Sequence, residues 1–182
     1  SNTGYKIMNK KLMMAMLAAG SVLTMTNALA AAGTVNFNGN ILDSACDVDV
    51  ASQNQVVVLG DYYKTEFPTT GARTAATQFN IILKNCPVTV TNAKVRFDGT
   101  PDLTNASLLA IDTSVAGAAT GVAINLMTAD KADLPLHGSN SYTYALSSTA
   151  DNTLSFYAQY ISTAASVTAG PANSVANFSV VY

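Results

Sequence analysis

Tryptophan is absent from this 182-residue chain, histidine occurs once and cysteine twice. So few soft ligands leave no room for an ordinary zinc site, which takes three or four Cys or His side chains. Charge is also scarce: eleven acids and nine bases make up 11% of the residues, for a formal net charge of -2. No basic block stands beyond the first dozen residues, so the electrostatic footprint of a nucleic-acid binder is missing. A nucleophile elbow, a phosphate loop and paired metal ligands are missing too. The single histidine, His137, sits beside Pro135 and Gly138. It reads as a solvent-exposed loop residue rather than a catalytic base. Asp47 and Asp49 alternate directly after Cys46 but lack the further oxygen ligands that calcium needs at loop spacing, and they read as solvated strand-edge charges. The expectation is therefore no metal, no cofactor and no enzyme. What is plentiful is apolar: 49% of the residues, ample for the core of one domain.

The first thirty residues read as an address. Lys6, Lys10 and Lys11 precede an uncharged stretch from Leu12 to Met25, and Ala28-Leu29-Ala30 follows. A positive segment, an apolar run too short to span a bilayer and small residues at the cleavage positions make a secretory signal peptide. Cleavage is expected after Ala30, within two residues, with Met8 as the natural start and residues 1 to 7 as an upstream extension. Removing 30 residues and three of the nine bases leaves 152 residues with six bases against eleven acids, a net of -5. Both cysteines remain, and in an oxidising compartment an even pair defaults to a disulfide. A Cys46–Cys86 bridge closing a loop of about 40 residues would contribute roughly 4 kcal/mol through chain entropy.

Period-two patterns recur along the exported part: Val35, Phe37 and Ile41; Phe79, Ile81 and Leu83; Val122, Ile124 and Leu126; Leu154, Phe156, Ala158 and Tyr160; Phe178, Val180 and Tyr182. Such alternation marks half-buried strands. Turn-rich segments at 67 to 71, 98 to 102, 134 to 140 and 169 to 173 separate the runs. One short helical turn is expected between Asp61 and Phe67. The economical architecture is an all-β sandwich.

The two ends of the exported chain stand out. Val35-Asn36-Phe37-Asn38-Gly39-Asn40-Ile41 alternates apolar and polar around a glycine seven residues before Cys46, and Gly170-Pro171 precedes an alternating segment that stops on Tyr182. With the Cys46 and Cys86 spacing, Phe79-Asn80-Ile81 leading into Cys86 and the signal peptide, these features resemble a pilin of the bacterial chaperone-usher pathway, most like the major rod subunits of type 1 fimbriae. The resemblance covers essentially all of residues 31 to 182. The family's aromatic is usually penultimate and its glycine fourteenth from the end, whereas here Tyr182 is last and Gly170 thirteenth. One further residue would restore both offsets, so a chain shortened by one residue is expected.

The resemblance implies an incomplete immunoglobulin-like sandwich with six strands of its own and the last one missing. It divides the chain into a leader (1 to 30), an N-terminal donor-strand extension (31 to 42) and a pilin domain (43 to 182). Val35, Phe37 and Ile41 would fill successive pockets of a neighbouring subunit, with Gly39 where the backbone must come close. Gly170, Phe178, Val180 and Tyr182 would mark the strand at the groove edge, where a periplasmic chaperone lends a strand until the next subunit replaces it. The implied partners are identical or related pilin subunits, that chaperone and an outer-membrane usher, with no nucleic acid. The implied function is a structural subunit, exported to the periplasm and then extracellular in a surface fimbria that supports adhesion. A minor tip or adaptor pilin with a glycan- or partner-binding role is the alternative. From alternation alone, residues 31 to 42 could equally be a first strand paired within their own domain.

Overall fold

A computed structural model describes residues 32–42 and 44–182. The expected leader, residues 1 to 30, lies outside the described residues. The described chain forms two units that divide between Asn40 and Ile41. In the first, residues 32–40 are exposed and belong to no helix or strand.

The second unit is built from eight antiparallel strands. A five-stranded sheet runs β1 (Asp47–Val48), β2 (Thr77–Lys84), β7 (Asn152–Ser162), β5 (Val122–Met127), β4 (Leu109–Ala110), and a three-stranded sheet runs β6 (Tyr144–Ala145), β3 (Asn92–Gly99), β8 (Ala176–Val181). Four of the five expected period-two rows are strands, β2, β5, β7 and β8; the long β3 and the two-residue β1, β4 and β6 complete the eight where six were expected. A four-residue helix, α1 (Val50–Gln53), follows β1, and the expected turn after Asp61 is a 3-10 turn at Lys64–Glu66.

Alternation sets the faces. Ile81 and Leu83 of β2, Val95 and Phe97 of β3, and Leu154, Phe156 and Ala158 of β7 are buried between the sheets. The β2 and β7 register places Phe79 opposite Phe156 and Ile81 opposite Leu154, so cross-strand pairs stack their apolar side chains on one face. Phe156 centres an aromatic cluster, with ring centroids 5.7 Å from Phe79, 5.3 Å from Phe97 and 5.0 Å from Tyr144. Pairs at these separations contribute roughly 0.5 to 1.5 kcal/mol each beyond their buried area. The Tyr144 hydroxyl donates to the Ser155 carbonyl at 2.6 Å, and burial pushes its pKa upward. β5 is buried on both faces. Its outward Ala123 packs with Leu108 and Ile161, and Asn125 donates to Asp133.

The Cys46–Cys86 disulfide is formed, with Cα atoms 4.2 Å apart. It lies just beyond the β1 and β2 pairing, which sets Asp47 opposite Lys84, so the cross-link staples the short β1 to the long β2. Asn85 turns the chain there with a positive φ of 51°, a conformation that Asn tolerates better than most side chains. Its amide donates to Asp47 at 2.9 Å.

Candidate functional site

The free edge of β8 and the chain segment after α1 border a gap with no strand between them. β8 is hydrogen-bonded to β3 alone. Across from it, residues 55–59 follow α1 in extended alternation, Val57 and Leu59 half-buried and Val56 and Val58 exposed, yet they pair with no strand among the described residues. Only the Gln55 side chain reaches across, donating to the Asn80 carbonyl at 3.0 Å. A sheet edge such as that of β8, with N–H and C=O groups left unpaired along the gap, is a template for one more strand.

Core side chains form the floor between these edges. Phe79, Ile81, Phe97, Leu109, Ile124 and Leu126 line a cavity of about 290 Å³, with Ser52 to Leu59 on one bank and Ser174 to Phe178 on the other. No charged side chain lines it. It offers no acid, base or nucleophile in a titratable pair, and it fits apolar side chains carried on a strand. The inward residues of β8, Phe178 and Val180, are only half-buried, although Phe178 already lies 6.4 Å from Phe97 between ring centroids. Phe178 also lines the groove.

Residues singled out in the sequence flank β8 on both sides. At one end Tyr182, just past β8, accepts a hydrogen bond from the Cys46 backbone N–H at 3.2 Å, tying the last residue to the disulfide. Burial pushes the Tyr182 phenol pKa upward. At the other end Gly170 makes a close approach that no other residue could make. A Cβ there would overlap the Gly117 carbonyl oxygen and stand 2.7 Å from the Ala119 nitrogen. The chain after it is pinned: Ala119 N–H donates to the Pro171 carbonyl at 2.9 Å, and the Tyr160 hydroxyl donates to the Ala172 carbonyl at 2.7 Å. β8 thus leaves a fixed start and runs along the open groove.

Val35, Phe37 and Ile41 are 73%, 90% and 101% exposed, and a Cβ on Gly39 would meet open space. Residues 32–42 form no strand. His137 occupies the expected loop, but it straps that loop to β3: its Nδ1 lies 2.7 Å from an Asp98 oxygen, its Nε2 lies 2.9 Å from the Gly99 carbonyl, and its backbone N–H donates to the Phe97 carbonyl. The His137 ring first, and Arg96 after it, hold the Asp98 carboxyl below the ordinary carboxylate range. Asp49, expected to be a solvated charge, caps α1 by accepting from the Ala51 N–H and pairs with Lys84 at 2.9 Å, which lowers its pKa. The sequence reading missed β3, whose Ala93, Val95 and Phe97 alternate with Lys94, Arg96 and Asp98. It also missed the bank residues Val57 and Leu59. The signal was there in both, masked by charge in β3 and by a continuous apolar run at residues 56–59.

A family model described as fimbrial protein matches residues 35–182. The chain is 38% identical over 180 residues to the type-1 fimbrial protein A chain of Escherichia coli strain K12, covering 95% of this chain and 98% of that protein. It is 37% identical over 166 residues to the S-fimbrial protein subunit SfaG of Escherichia coli O6:K15:H31, covering 91% and 92%. Among solved structures, a Burkholderia pseudomallei antigen and type I fimbria protein matches with a TM-score of 0.58 at 37% identity, covering 82% of this chain and 97% of that one. A chaperone-usher pilus subunit matches with a TM-score of 0.63 at 27% identity, covering 82% and 94%.

Proposed function

The chain belongs to the fimbrial protein family and is a structural subunit of a bacterial fimbria, and from that premise we propose that it polymerises by donating residues 31 to 42 to the groove of the next subunit. The observation that carries this reading is the uncharged groove between β8 and residues 55–59, floored by the core itself. Its needs match the extension's supply. A segment alternating Val35, Phe37, Gly39 and Ile41 would place apolar side chains on the floor and leave Asn36, Asn38 and Asn40 toward solvent. Burying three such side chains contributes on the order of 5 to 9 kcal/mol before ladder hydrogen bonds. Donor and acceptor surfaces differ, so each junction is head-to-tail and the product is an open filament.

Before assembly the same groove exposes core beside unpaired edges, an aggregation hazard. We assign its temporary cover to a periplasmic chaperone that lends a strand along β8, at Phe178, Val180 and Tyr182, with delivery through an outer-membrane usher. The subunit would pass through the periplasm on the way to a surface fimbria that supports adhesion. The absence of a titratable group in the groove lining supports a structural rather than an enzymatic role.

A synthetic peptide of residues 31 to 42 added to the purified exported chain tests the reading. Thermal unfolding should shift upward in a concentration-dependent way as the groove fills. A peptide carrying Phe37→Ala should be much weaker. No shift with the parent peptide at saturating concentration would overturn the assignment.

A further inference from the structure

Asn38-Gly39 is the sole Asn-Gly pair in the sequence. Both residues are exposed, both lie outside helix and strand, and a Cβ on Gly39 would meet nothing. Among the described residues, neither the Asn38 side-chain amide nor the Gly39 backbone N–H is held in a backbone or side-chain hydrogen bond. A Gly39 nitrogen that carries no side chain to obstruct it, next to an exposed asparagine carboxamide, is the arrangement in which the main chain attacks its own side chain. We propose that Asn38-Gly39 is a spontaneous deamidation site that retires the donor segment of subunits that have not polymerised. The proposal rests on the donor-strand reading above for its consequence, and on local chemistry alone for the modification.

The step balances without any oxidant or cofactor. The Gly39 backbone nitrogen loses its proton and bonds to the Asn38 Cγ, the Cγ–Nδ2 bond breaks, and ammonia leaves with that proton. The five-membered imide is then opened by water at one of its two carbonyls. One opening yields aspartate. The other yields isoaspartate, with the main chain rerouted through Cβ and Cγ.

Three internal comparisons come with the sequence. Asn36 and Asn40 share the same exposed segment, but Phe37 and Ile41 follow them. A branched or aromatic side chain on the attacking residue obstructs the approach that glycine leaves open. Asp98-Gly99 carries the same local chemistry but lies in β3, with Asp98 opposite Asn177 and Gly99 opposite Ala176. The Asp98 carboxylate is further engaged by Arg96 at 2.8 Å and His137 at 2.7 Å. A ladder of this kind holds the backbone nitrogen and side chain apart, so Asp98-Gly99 stays intact.

The consequence follows from strand geometry. A strand delivers Phe37 and Ile41 to one face because each residue adds one backbone repeat. Isoaspartate at 38 inserts an extra main-chain carbon between them, so the two side chains can no longer reach one row of pockets in phase. Once the segment is paired in a neighbour's groove, its backbone is held as that of Gly99 is held in β3. Conversion is thereby confined to subunits left unassembled, and the reaction acts as a clock on their age.

The test ages the purified exported chain at mildly alkaline pH and maps the products by peptide mass spectrometry and isoaspartate methyltransferase labelling. Conversion at Asn38 should exceed that at Asn36, Asn40 and Asp98 by an order of magnitude or more, and assembled filaments aged alongside should keep Asn38 intact. Aged parent subunits should lose polymerisation in proportion to isoaspartate content, while aged Asn38→Gln subunits retain it. Equal rates at the three asparagines, or equal conversion in filaments, would overturn the proposal. So would full polymerisation of converted subunits if fresh Phe37→Ala subunits fail to polymerise. Fresh Phe37→Ala subunits that polymerise like the parent would instead remove the donor-strand reading.

Discussion

Phe37→Ala separates the stability of the subunit from the stability of the junction. At 90% exposure Phe37 contributes almost no buried surface in the free chain. Its removal should therefore leave the free subunit's unfolding within about 0.5 kcal/mol of the parent. In a filament the same ring would enter a groove whose floor includes Phe79, Phe97, Ile81 and Leu126. Truncating a buried phenylalanine to alanine costs about 3 to 5 kcal/mol. At 1.4 kcal/mol per tenfold, each junction should dissociate roughly 10² to 4 × 10³ times more readily. The assay is paired: thermal unfolding of free subunits, and guanidinium-induced dissociation of purified filaments followed by sedimentation. Filaments of Phe37→Ala should fall apart at clearly lower denaturant with the subunit transition unmoved. Parent-like filaments, or a matching loss in the free subunit, would refute the reasoning.

Gly39→Val should be silent in the free chain, where its Cβ meets open space, and should weaken each junction by about 1 to 3 kcal/mol through overpacking, so normal filament length and stability would contradict the donor role. Gly170→Ala would collide with the Gly117 carbonyl and break the Ala119 to Pro171 hydrogen bond; a loss of about 2 to 4 kcal/mol, or roughly 4 to 16 °C in Tm, is expected in thermal unfolding. Cys46→Ser removes a cross-link between residues 40 apart, worth about 4 kcal/mol, and should sharply lower the yield of exported protein in cell fractions; an unchanged yield would sink that role. The Arg73 guanidinium, bound to Asp133 at 2.9 and 3.1 Å, holds the Asp133 carboxyl below the usual range. A depressed folded-state pKa means stability present above the unfolded value, near pH 4, and lost as pH falls through the folded one. Asp133→Asn should therefore flatten the acid limb of a stability against pH curve, and an unchanged limb would count against the pair.

The sequence by itself determined the strands whose alternation is local. β2, β5, β7 and β8 were legible because Phe79, Val122, Leu154 and Phe178 each begin a period-two row, and a pleated chain must send such a row to one face. The disulfide was legible from an even pair of cysteines behind a segment that reads as an export signal, and one short helical turn was expected between Asp61 and Phe67. Tertiary structure alone decided the rest. β1, β4 and β6 are two-residue pairings that exist only because a long neighbour presents its edge, and α1 forms where Asp49 is positioned by Lys84 to cap it. The groove belongs to this second kind. Val57 and Phe178 lie 121 positions apart in the chain, and nothing in either segment says that the other will stand across an open gap. An unpaired edge is a relation between strands, so it comes into being only when two sheets close over one core and leave room for a strand between them.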